Sequence, residues 1–175
     1  MEQFDSLEKI KNLFKQATGE ENPNACYIVG IIDHNNNAAV VGGVLGGALG
    51  GAIGGAIGAA SAVSSGIVKG MEQQCEGFLF MQTDEGIGLI PLVRDGIAWA
   101  NPYKKMRTCV GNYTFIRNED IKEIRIKSAN FGAAKKITII LNNKDKIQVL
   151  SYKRDRYLSF QKDCLEKFCS KYTNK

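Results

Sequence analysis

The spacing of apolar positions changes three times along this chain, and each change marks a different kind of element. Phe4, Leu7, Ile10 and Phe14 recur at intervals of three and four residues, which predicts an amphipathic helix over 3–17, closed by Gly19 and Pro23. Residues 25–32 (ACYIVGII) form an apolar, partly β-branched run that reads as a strand, or as the lead into the segment that follows. From Asn35 to Val68 there is no charge, and a glycine pair recurs every four residues in GGVLGGALGGAIGGAIGA. Past Lys69 the period falls to two. GFLFMQ and IGLIPLV flank Thr83-Asp84-Glu85-Gly86 as a hairpin, NYTFI adds a strand, and Ile121, Ile124 and Ile126 lead into a second hairpin turning at 142–146. Tyr157, Leu158, Cys164, Leu165, Phe168, Cys169 and Tyr172 then describe an amphipathic helix. Strands followed by one terminal helix predict an α+β fold, with a curved antiparallel sheet or partly open barrel capped by that helix.

The glycine repeat is the most unusual part of the pattern. Four-residue spacing stacks Gly42, Gly46, Gly50, Gly54 and Gly58 on one stripe of a helix, with Gly43, Gly47, Gly51 and Gly55 beside it, so that two backbones can approach closely. In water each such glycine costs about 0.5–1 kcal/mol relative to alanine. In hydrocarbon an unpaired amide costs more, and helix becomes the favoured state. The sequence therefore predicts a glycine-zipper helix that inserts as a transmembrane helix and self-associates, residues 40–63 being long enough for one crossing. The alternative is a glycine-rich helical insert packed on a soluble domain. The expected organisation is 1–34 (helix and strand), 35–70 (glycine zipper) and 71–175 (β domain with terminal helix).

Charge adds orientation. The net charge of +5 divides into −3 over residues 1–34 and +8 from Lys69 onward. A crossing at the glycine segment would then place the C-terminal domain in the cytoplasm and the acidic N-terminal part outside; the alternative location is wholly cytoplasmic. Residues 1–17 carry scattered charges, so no signal peptide is expected there. Lys104, Lys105 and Arg107, and then Lys153, Arg154 and Arg156, are candidate contacts to an anionic surface, weighed against ordinary solubilising residues. Interspersed acids break any stripe suited to nucleic acid, so no nucleic-acid partner is expected. Five cysteines without CxxC spacing read as reduced thiols. His34 is the single histidine and has no ligand cluster, so neither metal nor cofactor is expected, and no catalytic constellation argues for an enzyme.

The block Tyr113-Thr114-Phe115-Ile116-Arg117-Asn118-Glu119-Asp120-Ile121-Lys122-Glu123-Ile124-Arg125-Ile126, the hairpin ITIILNNKDKIQVL and the closing helix resemble the second half of bacterial pleckstrin-homology-like and GRAM-like domains, over about residues 77–172. The resemblance implies a binding or scaffolding module near membranes, without catalysis. The function expected is a membrane-associated, non-enzymatic protein whose glycine helix inserts and self-associates while a PH-like module binds lipid or a protein partner. The alternative is a soluble interaction module.

Overall fold

The structure, a computed structural model, describes residues 4–32, 75–94 and 102–173. Helix α1 (Leu7–Thr18) begins where Ser6, in extended conformation, accepts the Lys9 N–H on its Oγ at 3.3 Å. It ends at Gly19, whose left-handed φ of 79° lets its N–H reach the Lys15 carbonyl at 2.8 Å. Eight strands follow: β1 (Cys26–Ile31), β2 (Cys75–Gln82), β3 (Gly86–Arg94), β4 (Met106–Thr108), β5 (Thr114–Arg117), β6 (Ile121–Ala129), β7 (Ala134–Leu141) and β8 (Lys146–Tyr152). Helix α2 (Gln161–Thr173) closes the described chain. The fold is α+β, as the strand and helix spacings predict.

The strands make one open antiparallel sheet in the order β4-β3-β2-β1-β8-β7-β6, with β5 also pairing with β3. Pro91 sits in β3 between the stretch paired with β5 and the stretch paired with β4. Its carbonyl there accepts the Cys109 N–H at 2.9 Å, and the missing proline N–H falls on that same gap.

Helix α2 lays Leu165 and Phe168 on one face of the sheet, against Ile28, Phe78, Phe80, Ile137, Ile139, Ile147 and Val149. Helix α1 covers the opposite face of β1–β3, where Ile10 and Phe14 meet Tyr27, Val29, Leu79, Met81, Ile90 and Leu92. Strands β2 and β3 are therefore buried along almost their whole length, while β6 and β7 keep one face toward solvent. This explains why β1–β3 read as continuous apolar runs and β7 as an alternation.

Strand β1 occupies the middle of the sheet. It pairs with β2 from Cys26 opposite Gln82 to Ile31 opposite Gly77, and meets β8 through one residue pair, Ile31 opposite Leu150. Beyond that pair the ladder is completed by a side chain. Gln161, fully buried, accepts the Val29 N–H at 3.0 Å and donates to the Val29 carbonyl and to Ser151 Oγ, both at 2.7 Å.

One expectation needs correction. The two helices span 12 and 13 residues, and among the described residues no helix is long and apolar enough to cross a membrane, so the transmembrane helix is not supported. The glycine-zipper residues Gly42, Gly43, Gly46, Gly47, Gly50, Gly51, Gly54, Gly55 and Gly58 lie outside the described residues. Helix α1 and strand β1 pack into the same core as β2, β3 and β8. The +8 and −3 halves belong to one folded body.

Candidate functional site

The glycine-rich stretch falls within the connection between two paired neighbours, β1 and β2. Its departure and return points are held together: the Ile32 N–H donates to the Glu76 carbonyl at 2.8 Å. At this end of β2 its ladder with β3 shifts register between Cys75 and Gly77. A Cβ at Gly77 would overlap the Gly30 carbonyl oxygen, so only glycine permits the strands to close here. Glu76 is almost wholly buried and pairs with Arg94 at 3.1 Å. The Cys75 thiol is pushed up to about 12, first by burial, and donates to the Gly77 carbonyl at 3.2 Å. The root of the connection is thus largely buried and ion-paired.

The basic residues singled out in the sequence are divided by the fold. The backbone of Lys104 and Lys105 forms a 3-10 turn ahead of β4, with the Lys105 side chain exposed. Arg107 is exposed on β4 and reaches Cys109 Sγ at 3.9 Å. Lys153 follows β8, and its backbone N–H donates to the Ala133 carbonyl at 2.9 Å. Arg154 and Arg156 are exposed, the Arg156 guanidinium lying 4.6 Å from the centre of the Tyr157 ring. Tyr103 and Leu158 share the α1-side cluster, so the two basic runs meet its rim. The burial of Tyr103, with Asp155 nearby, raises its phenol.

Lys122, Arg125 and Lys127, a further basic run weighed for anionic contact from the sequence, lie along β6, but the turn beyond them and the lysines of β7 were not singled out. At the β6–β7 turn, Asn130, Phe131 and Gly132 have left-handed φ values of 49°, 52° and 88°. Phe131 is 113% exposed relative to a reference chain and touches no core. The turn is nonetheless pinned. The Ala133 N–H reaches the Asn130 carbonyl at 3.0 Å, and Asn130 Nδ2 donates to the Tyr152 hydroxyl at 3.0 Å. Lys127 stands directly opposite Lys136, and Ser128 opposite Lys135. The clue in the sequence is a stretch, 124–144, that holds Arg125, Lys127, Lys135, Lys136 and Lys144 and no carboxylate, with one aromatic inside an Asn-Phe-Gly turn.

Two thiols meet between β1 and α2. Cys26 Sγ donates to the Cys164 carbonyl at 2.8 Å. Hydrogen bonding between the two thiols holds the Cys164 thiol below its ordinary value and raises that of Cys26. Open depressions of about 390 and 410 Å³ flank Phe115, with Asp84 and Glu85 at the first and Asp120 and Asp145 at the second. Among the described residues no three histidine, cysteine or carboxylate side chains are grouped to hold a metal ion. Comparison with protein-family models, with curated proteins and with solved structures finds no match for this chain.

Proposed function

We propose that this chain is a non-enzymatic interaction module: a PH-like sheet capped by α2 that presents the glycine-rich connection 33–74 from one rigid hairpin end, for association with other copies of itself. The observation that carries the reading is the Ile32–Glu76 hydrogen bond of 2.8 Å beside in-register β1–β2 pairing. A connection anchored at adjacent points can be long without loosening the core, since loop closure costs only about 0.6 kcal/mol for each doubling of length. The four-residue glycine phase then supplies the self-complementary surface, because small side chains in register let backbones approach. Element order, with a terminal helix laid across one face of an antiparallel sheet, supports the PH-like assignment.

Light scattering on the full chain and on a variant lacking residues 38–68 tests this. The expected result is a multimer for the full chain and a monomer with an unchanged melting temperature for the deletion. A monomeric full chain, or a deletion variant that keeps the multimer, overturns the proposal.

A further inference from the structure

We propose that the β6–β7 turn is a docking point for an anionic lipid surface, independent of the glycine-rich connection. Phe131 enters the acyl boundary, and Lys127, Lys135, Lys136 and Lys153 meet the headgroup phosphates.

The conformation of the turn is the first argument. A left-handed backbone is disfavoured for any residue with a Cβ, and most of all for a bulky one. Asn130 and Gly132 are residue types that accept it, whereas Phe131 is not, yet its ring gains no contact within the protein in return. The backbone hydrogen bond from Ala133 to Asn130, the side-chain bond from Asn130 to Tyr152 and the bond from Lys153 to Ala133 hold the turn in this state. Strain held in place at an exposed aromatic is a feature of sites that act on something outside the protein.

Charge supplies the second argument and selects the occupant. Lys127 and Lys136 face one another across the ladder on the side away from α2, a like-charge pair that disfavours the bare sheet. Neither forms an ion pair among the described residues. Lys135 lies on the other face, where its ammonium is 3.3 Å from Ser128 Oγ, and both Lys135 and Lys153 lie near Cys169 of α2, with Glu166 the neighbouring carboxylate. The aromatic therefore projects beyond cations on both faces of the hairpin. At about 3.3 Å per residue, the lysine positions sit roughly 3–7 Å behind the last pair, Ala129 with Ala134. An apolar group buried about 5–10 Å past the headgroups puts such lysines at phosphate depth. Tyr152, next to Ala134 and bonded to Asn130, adds an aromatic with a polar tip of the kind that settles at the membrane interface. A protein-docking anchor would be set in an apolar patch. Phe131 stands alone among cations, an arrangement that suits a fluid anionic surface needing no matching pocket.

Co-sedimentation of the full chain with phosphatidylcholine vesicles containing about one-quarter phosphatidylglycerol tests the assignment. Phe131→Asn keeps a residue that tolerates the left-handed turn and should lower the partition coefficient about tenfold or more. Lys127→Gln with Lys136→Gln should lower it about tenfold or more and flatten its salt dependence. The indole introduced by Phe131→Trp should shift its emission to the blue on anionic vesicles only. Undiminished binding of Phe131→Asn overturns the proposal, as does equal binding to pure phosphatidylcholine, or binding to single-stranded oligonucleotide with none to vesicles. Because Phe131 supports no core contact, a melting temperature for Phe131→Asn no lower than the parent chain's will separate lost docking from lost folding.

Discussion

Replacing Gln161 by leucine removes the side chain that completes the central ladder, and the structure sets the size of the effect. Three hydrogen bonds disappear: Val29 N–H to Oε1 at 3.0 Å, and Nε2 to the Val29 carbonyl and to Ser151 Oγ at 2.7 Å each. The Val29 carbonyl is not orphaned, because Ser151 Oγ–H still reaches it at 2.8 Å. The Val29 N–H is left buried without an acceptor, at about 1–3 kcal/mol. Fitting a branched side chain into a fully closed site adds about 1 kcal/mol. The expected loss is about 2–4 kcal/mol, or a fall in Tm of roughly 5–15 °C for a chain of this size. Ser151→Ala is the control: Nε2 still serves the Val29 carbonyl, so the loss should be about 1 kcal/mol. Chemical denaturation measures both, and hydrogen exchange at the Val29 amide reports the orphaned group directly. A Gln161→Leu loss below about 1 kcal/mol with Val29 protection unchanged would refute the view that this amide replaces a missing strand contact.

Three further outcomes are expected. Phe131→Gly should raise stability by about 0.5–1 kcal/mol in denaturant titration, since it relieves a φ of 52° and uncovers no buried area. Gly86→Ala should cost at least about 2 kcal/mol and release β5, seen as lost amide protection over 114–117, because the added methyl overlaps the backbone carbonyl of Ile116. At pH 8, iodoacetamide should label Cys164 first and Cys75 last in peptide mass spectrometry. The Cys164 thiol is held below its ordinary value, whereas one near 12 is ionised to about one part in ten thousand. Cys26→Ala, which removes the neighbouring S–H donor, should slow Cys164 labelling.

Much of the fold is legible in residue spacing. The helix at 7–18, the strand at 26–31, both β hairpins flanking 83–85 and 142–145, and the closing helix all follow from periodicity and turn chemistry. The broken alternation of Ile121, Ile124 and Ile126 is also explained: the ladder shifts register between Ile121 and Glu123, so the three-residue step keeps all three isoleucines toward α2. Other features depend on contacts distant in sequence. Nothing in ACYIVGII tells that β1 will be inserted between β2 and β8, because a run buried on both faces has no period to reveal its neighbours. The three residues of β4 are too few to show a pattern. The Ala-Asn-Phe-Gly turn hides in a polar stretch. The solvent-facing aromatic within it is visible only when the backbone angles are known, because composition alone assigns phenylalanine to the core.

The central position of β1 has a consequence for synthesis. As the chain leaves the ribosome, Cys26–Ile31 emerges early, yet its first partner begins at Cys75, its second contact is Leu150 and its last ladder bonds come from Gln161. An apolar segment must therefore wait, unpaired, until β2 is translated, and its other edge waits for Leu150 and Gln161. Folding dominated by such distant pairings is slow and exposed to misassociation. Helix α1, formed from local contacts and apolar along one side, is the nearest cover for that strand during the delay.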